Sequence, residues 1–260
     1  MKKAVLITGA TINTGVAIVE KFASEGLDVV FTGRKEASVK AAEGEYRKKF
    51  PDVTITGYAL PSLLEGGAVN EAGVEEFFEK LDEEGVFIDT VVLNAADQGL
   101  NMTALDSPLS DFLNVMGSNV FWNFCICRCA AKRMIPRSGG SITFINSNTA
   151  YRAIPDRMAY VTSKGAQLGM MRALAVDWGK YGIRVNAVLP GMIKTDRWVK
   201  NPDFYAKVPS RYTPLGEVAV GSDVADAVWY FAAHAKNTTG AELVVDGGNT
   251  VQLYPIIPEE

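Results

Sequence analysis

Short apolar runs alternate with stretches of helical periodicity along the whole chain. The runs are Ala4–Thr8, Asp28–Thr32, Thr54–Ala59, Thr90–Leu93, Ser141–Ile145, Arg184–Leu189 and Glu242–Val245. Continuous apolar runs of this length, without polar alternation, suit strands covered on both faces. Between them lie helical patterns at Val16–Glu25, Lys35–Phe50, Val74–Glu84, Ser110–Ile135, Met158–Tyr181 and Ser222–His234, the fourth stopped by Pro136. Alternation of this kind specifies a doubly wound α/β fold: a mostly parallel seven-stranded sheet with helices on both faces. Ligands of such sheets bind beyond the carboxyl ends of the strands, where the strand order switches.

With 260 residues, 48% hydrophobic and 22% charged, the chain can fill one large core. No linker, repeat or low-complexity segment interrupts it, so residues 1–260 read as a single domain. A net charge of −4 without a dense basic run argues against nucleic acid or an anionic membrane as partner. Cys125, Cys127 and Cys129 form an odd, tightly spaced set in an apolar stretch, which suits buried thiols in a reducing compartment better than disulfides. The single histidine, His234, reads as a helix end and leaves no basis for a metal site or a Ser-His-Asp triad. The apolar run Ala4–Ile7 is too short for a signal-peptide core, and no stretch approaches the ~20 residues of a membrane span, so a cytoplasmic protein is expected.

Two places carry chemistry. Gly9 and Gly15 flank the turn after the first strand, where glycine permits sharp turns and close approach of a pyrophosphate to a helix N-terminus. Far downstream, Ser147 is followed thirteen positions on by Tyr160 and four later by Lys164. Residues four apart share a helix face, so Tyr160 and Lys164 project together. A phenol titrates near ~10 and is a poor base at neutrality, and an ammonium beside it favours the phenolate.

The chain resembles the short-chain dehydrogenase/reductase family, whose fold is Rossmann-type. Thr8, Gly9 and Gly15 match its Thr-Gly-x-x-x-Gly-x-Gly fingerprint, with Asn13 in place of the middle glycine and Thr14 between. Asparagine tolerates the left-handed backbone region next best to glycine. Asn94-Ala95-Ala96-Asp97 stands where the family has Asn-Asn-Ala-Gly. For Asp97, local strain, a substrate contact and a water ligand are all open readings. Pro190-Gly191-Met192-Ile193-Lys194-Thr195 matches Pro-Gly-x-x-x-Thr, which implies Ile193 and Thr195 near a nicotinamide carboxamide. The family's acidic ribose ligand falls at Gly33, with Arg34 next, which favours NADP(H) over NAD(H). The competing reading has Arg34 solvated and Glu36 on the ribose. The family's adenine-side aspartate is replaced by Leu60-Pro61-Ser62, so that contact is lost or passes to Ser62.

The same resemblance implies a catalytic tetrad of Asn119, Ser147, Tyr160 and Lys164. Tyr160 would act as general acid or base, Ser147 would bind the substrate oxygen, and Lys164 would hold the ribose and lower the tyrosine pKa. Asn119 would bind a water that extends a proton relay toward Lys164. The irregular stretch 192–215 stands where the family has its substrate lid, with Trp198, Phe204 and Tyr205 as closing aromatics. Arg152, Arg157, Lys194 and Arg197 surround the expected mouth, and Tyr151 and Ile154 are further expected pocket residues. The tail 250–260, with Tyr254, Ile256 and Ile257, would cover a neighbour's pocket in a homodimer or homotetramer.

The expected activity is interconversion of a secondary alcohol and its ketone, on a polyol, sugar-like or steroid-like substrate. A 3-oxoacyl-thioester reductase and a catalytically silent cofactor-binding regulator are the alternatives. Nucleotide-sugar epimerisation would need a second substrate domain, for which the chain leaves no room.

Overall fold

Val5, Leu6 and Ile7 have no exposed surface, and their strand is paired on both sides. The computed structural model describes residues 2–195, 198, 200–202 and 211–256. In chain order its elements are β1 (Lys2–Ile7), α1 (Asn13–Ser24), β2 (Asp28–Gly33), α2 (Glu36–Lys49), β3 (Ile55–Ala59), α3 (Glu71–Glu83) and β4 (Val86–Leu93). They continue with α4 (Leu109–Met116), α5 (Trp122–Met134), β5 (Gly140–Ile145), α6 (Met158–Gly179), β6 (Ile183–Pro190), α7 (Gly221–Trp229) and β7 (Glu242–Val245).

The strands form one sheet in the order β3-β2-β1-β4-β5-β6-β7, and every neighbouring pair is parallel. In the middle, Leu6 pairs with Val30 on one side and Val91 on the other. The order reverses between β1 and β4, which fixes the ligand crevice at their carboxyl ends. One face is packed by α3, α5 and α6 around Phe78, Trp122, Ile126 and Phe144. The other carries α1, α2 and α7 around Ile18, Phe22, Phe31 and Val228. Phe22 is fully buried with its ring 5.3 Å from that of Trp229, a position where truncation to alanine costs about 3–5 kcal/mol.

The stretch expected as one helix from Ser110 to Ile135 is broken. A π-helical turn, Gly117–Phe121, joins α4 to α5, and the Trp122 N–H donates to the Gly117 carbonyl five residues back. A second π turn, Tyr230–His234, closes α7 and holds the single histidine. The strand expected from Thr90 begins at Val86 and meets β1 through a register shift between Ala4 and Val5. All three cysteines are free and buried in the α5 core, where burial pushes their thiols' pKa values up. Among the described residues no helix is long and apolar enough to cross a membrane. Arg197, Phe204, Tyr205 and Ile257 lie outside the described residues.

Candidate active site

The turn from β1 into α1 is locked by steric contact. Gly9 has φ 66°, and a Cβ there would stand 2.7 Å from the Ala95 Cα. A Cβ on Gly15 would meet the Ala10 Cα and the Gly9 carbonyl oxygen, each at 2.7 Å. Asn13 holds φ 51°, the left-handed conformation that asparagine tolerates. Thr8 supports the turn from below: its Oγ1 accepts from the backbone N–H groups of Asn94 and Ala95, both at 3.0 Å. No side chain caps α1, and its first turn holds no acidic residue, unlike α3, where Asn70 caps the Gly73 N–H. The N–H groups of that first turn and the positive end of the helix dipole therefore suit an anion.

At the end of β2, a Cβ on Gly33 would lie 2.7 Å from Thr11 Cγ2 and 2.8 Å from Val39 Cγ2. An aspartate does not fit there without a shift of both neighbours. Arg34 follows, exposed on the cavity wall, whereas Glu36 pairs with Lys40 at 3.1 Å and stands outside the lining. Ser62 and Ser118 contribute a pair of hydroxyls 2.6 Å apart on the same wall.

Across the cavity, Ser147 starts the short 3₁₀ turn Asn148–Ala150, with its Oγ accepting from the Thr149 N–H at 3.2 Å. Tyr160 and Lys164 lie one turn apart on α6, with Nζ 5.5 Å from the tyrosine ring centroid. Burial raises the pKa of Tyr160, while its hydrogen bond with Ser147 and the charge of Arg157 lower it without reversing the shift. Lys164 is 1% exposed, and burial pushes its ammonium down to about 7. Nζ donates to the Ile145 carbonyl at 2.9 Å and to Gln167 Oε1 at 3.3 Å. Burial thus opposes the phenolate that a lysine neighbour alone was expected to favour.

A cavity of about 900 Å³ joins the two ends. Of the residues expected at the site, its lining brings together Gly9, Asn13, Thr14, Gly15, Gly33, Arg34, Asn94, Ala95, Ser147, Arg157, Tyr160, Lys164, Pro190, Gly191, Ile193, Thr195 and Trp198. Thr8, Asn119 and Arg152 are not in it. Asn119 is fully buried in the π turn, accepting from the Asp97 N–H at 2.7 Å and donating to the Asp97 carbonyl at 2.8 Å and Ser163 Oγ at 3.0 Å. Arg152 turns away because the 3₁₀ turn directs it to the tail, where its guanidinium donates to the Asn249 and Gln252 carbonyls. Tyr151 likewise leaves the pocket for Glu242, while Ile154 remains in the lining. Asp97 uses Oδ1 to accept from the Gly99 N–H at 2.9 Å, a local turn that faces the cavity.

A family model described as enoyl-(acyl carrier protein) reductase matches residues 9–250. The chain belongs to the short-chain dehydrogenase/reductase family. It is 32% identical to the 2-(R)-hydroxypropyl-CoM dehydrogenase of Xanthobacter autotrophicus, over 96% of this chain and 99% of that one. It is 33% identical to the NADP-dependent (R)-specific alcohol dehydrogenase of Lentilactobacillus kefiri, over 96% and 97% of the two chains. The structure of ElxO with NADP bound matches with a TM-score of 0.87 at 27% identity, covering 97% of this chain and 100% of that one.

Within this short-chain dehydrogenase/reductase, sequence reasoning missed two polar side chains beside Lys164. Asn146 is 4% exposed and Gln167 is 1% exposed. Gln167 lies three residues after Lys164 and seven after Tyr160, so a glutamine on that helical face was the available signal.

Proposed function

We propose that the protein interconverts a secondary alcohol and its ketone with a nicotinamide dinucleotide, NADP(H) in preference to NAD(H). The observation that carries this reading is the meeting of Ser147, Tyr160 and Lys164 on one wall of the cavity whose far end is the glycine turn. The residues present fit a dinucleotide: the uncapped first turn of α1 suits a pyrophosphate, and the glycines there leave no Cβ in its way. When bound, the nicotinamide supplies the hydride chemistry.

Tyr160 gives a proton to the substrate oxygen in reduction and takes it in oxidation. The Ser147 hydroxyl donates to the same oxygen and stabilises its developing charge. Lys164, with one ammonium hydrogen left after Ile145 and Gln167, would hold the ribose hydroxyls of a bound dinucleotide and offset the phenolate charge. Asn119 fixes the wall through Asp97. Pro190, Gly191, Ile193 and Thr195 shape the nicotinamide end, while Arg157 and Trp198 border the substrate. Exposed Arg34, the tight contact at Gly33 and the pairing of Glu36 with Lys40 all favour a 2′-phosphate. The NADP-dependent relative and the NADP-bound structural neighbour support the same choice.

Polyol, sugar-like and steroid-like alcohols are the favoured substrates. A 3-oxoacyl thioester is the second reading; the matching family model, described by an enoyl substrate reduced at a carbon–carbon double bond, supports its acyl-thioester part and not its ketone. Assembly into a homodimer or homotetramer belongs to this reading, with the exposed Leu109, Leu113, Phe121 and Phe124 of α4, the π turn and α5 as contact residues. The deciding experiment is a panel of alcohols and ketones followed at the nicotinamide absorbance with both cofactors. Turnover with NADPH that Tyr160→Phe abolishes is expected; a Phe variant that keeps most of the rate would refute the role given to Tyr160.

A further inference from the structure

Gln167 is held at both ends of its amide. Nε2 donates to the Asn119 carbonyl at 2.7 Å. Oε1 accepts from Lys164 Nζ at 3.3 Å and from Asn146 Nδ2 at 3.1 Å. The partners fix its orientation, because a carbonyl can only accept and an ammonium can only donate. Asn119 lies in the π turn, and its carbonyl also accepts from Asn123 Nδ2 at 2.8 Å, so two amides fill its lone pairs. Asn146 extends the lock: its Nδ2 reaches the Lys164 carbonyl at 2.9 Å, and its Oδ1 accepts from the Ser147 N–H at 2.8 Å. The four side chains of Asn119, Asn146, Lys164 and Gln167 are each at most 4% exposed.

We propose that Gln167 is a positioning residue whose amide bridges the Asn119 carbonyl to the Lys164 ammonium, in the place where the resemblance puts a relay water. The proposal rests on the reading of Tyr160 and Lys164 given above. A primary amide neither releases nor takes up a proton near neutrality, so the route from Lys164 toward Asn119 is closed. Lys164 exchanges protons only on its cavity side. The titratable and charged groups on that cavity are Tyr160, one turn back on α6, Arg157 just before the helix, Asp97 after β4, and Arg34 after β2. The segment after β5 and the π turn present the neutral Asn146, Ser147 and Asn119. What Lys164 requires at this point is a polar bridge, and filling space is not enough.

That distinction sets the test. Methionine at 167 fills a similar volume but offers Nζ only a thioether. Alanine leaves room for a water with three polar partners: the Asn119 carbonyl, Lys164 Nζ and Asn146 Nδ2. Lysine side chains carrying ¹³C at Cε, titrated by NMR in the cofactor-free protein, report Lys164 directly. Losing an acceptor from an ammonium destabilises the charged form, so Gln167→Met lowers the Lys164 midpoint by about one unit or more. Gln167→Ala lowers it less, and Gln167→Glu, whose carboxylate favours the ammonium, raises it. Turnover of the best substrate from the panel follows the same order. Methionine costs kcat about tenfold or more and alanine about threefold, with KM nearly constant in both. A midpoint and kcat that suffer as much in Ala as in Met, or a midpoint that does not rise in Glu, would overturn the bridge. The NMR measurement needs no substrate, so a panel without turnover counts against the proposed reaction and leaves this inference decided by the titration.

Discussion

Thr8 and Asn94 clasp each other across the point where the strand order reverses. Thr8 Oγ1 accepts from the Asn94 N–H, while Asn94 Nδ2 donates to the carbonyls of Thr8 at 3.1 Å and Gly9 at 3.0 Å. The clasp joins the ends of β1 and β4, so the glycine turn cannot shift without breaking it. Thr8→Val keeps the shape but leaves the N–H groups of Asn94 and Ala95 without their acceptor. Each unsatisfied buried donor costs about 1–3 kcal/mol. Thermal melting should fall by several degrees in Thr8→Val and much less in Thr8→Ser, which keeps the hydroxyl. Equal melting of the two variants would show that the clasp contributes nothing.

Gly15→Ala tests the packing of the turn. Its Cβ would meet backbone atoms of Ala10 and Gly9 and stand 2.8 Å from Asn94 Nδ2, so the turn or the clasp must move. NADPH affinity, followed by fluorescence titration, should drop about tenfold or more, which corresponds to about 1.4 kcal/mol. Gly44→Ala in α2 is the control, because a Cβ there meets nothing within 4 Å. That change should leave binding intact and stabilise the helix slightly. An unchanged affinity in Gly15→Ala would remove the turn from the cofactor site.

The fold was legible because its signal is repeated: buried strands are short apolar runs, and they alternate with longer helical stretches along the whole chain. The crevice followed from the parallel order, since Gly9, Asn94, Ser147 and Gly191 all fall just beyond strand ends. What the sequence hid is local. The π turn at Gly117–Phe121 is a one-residue change in hydrogen-bond register, which leaves the apolar pattern of Ser110–Ile135 unaltered. Arg152 stands between Ser147 and Tyr160 in sequence, yet a single 3₁₀ turn swings it to the tail. Gln167 looked like one more residue of a long helix, because its partners Asn146 and Asn119 come from the segment after β5 and from the π turn, distant in sequence.

The proposed preference for NADP(H) makes Arg34 the residue that should separate the two cofactors. Its exposed guanidinium on the cavity wall suits a 2′-phosphate, and no carboxylate takes the Gly33 position. Arg34→Ala should weaken NADPH about tenfold or more and leave NADH within about twofold, with the NADPH affinity of the native protein falling as salt rises. A native preference for NADH that Arg34→Ala leaves untouched would instead return the ribose to Glu36.

The pH dependence of alcohol oxidation should follow the groups around Tyr160. Burial raises its pKa, Ser147 lowers it most among its neighbours, and Arg157 lowers it less. Oxidation needs the phenolate, so kcat/KM rises with pH through this limb. Ser147→Ala and Arg157→Gln each remove a lowering influence and move the limb to higher pH, the serine change further. Arg157→Gln is the cleaner variant, because the Arg157 guanidinium is otherwise bonded only to the Gln98 and Gly99 carbonyls in its described hydrogen bonds. A limb that stays in place, or moves to lower pH, would separate it from Tyr160.

Lys164 should leave its mark on stability even without cofactor or substrate. In the unfolded chain it stays protonated up to about 10.5, whereas burial in the folded protein pushes it down to about 7. Between these values the unfolded state binds more protons, so stability rises with pH across the window. The slope approaches about 1.36 kcal/mol per pH unit at its steepest. Tyr160, an acid whose folded pKa is raised, acts in the opposite direction and only above its unfolded value near ~10. The buried thiols of Cys125, Cys127 and Cys129, also raised, oppose the lysine in the upper part of the window, and their contribution cancels in a comparison with Lys164→Met. Lys164→Met removes the titration and also deprives the Ile145 carbonyl and Gln167 of a donor, a cost that does not vary with pH. The informative quantity is thus the slope and not the level. Urea unfolding of both proteins at pH 7, 8 and 9 should show the native protein gaining on Lys164→Met at each step. A constant difference would mean that the folded protein keeps the ammonium charged throughout this range, as the unfolded chain does, so that burial does not lower its pKa.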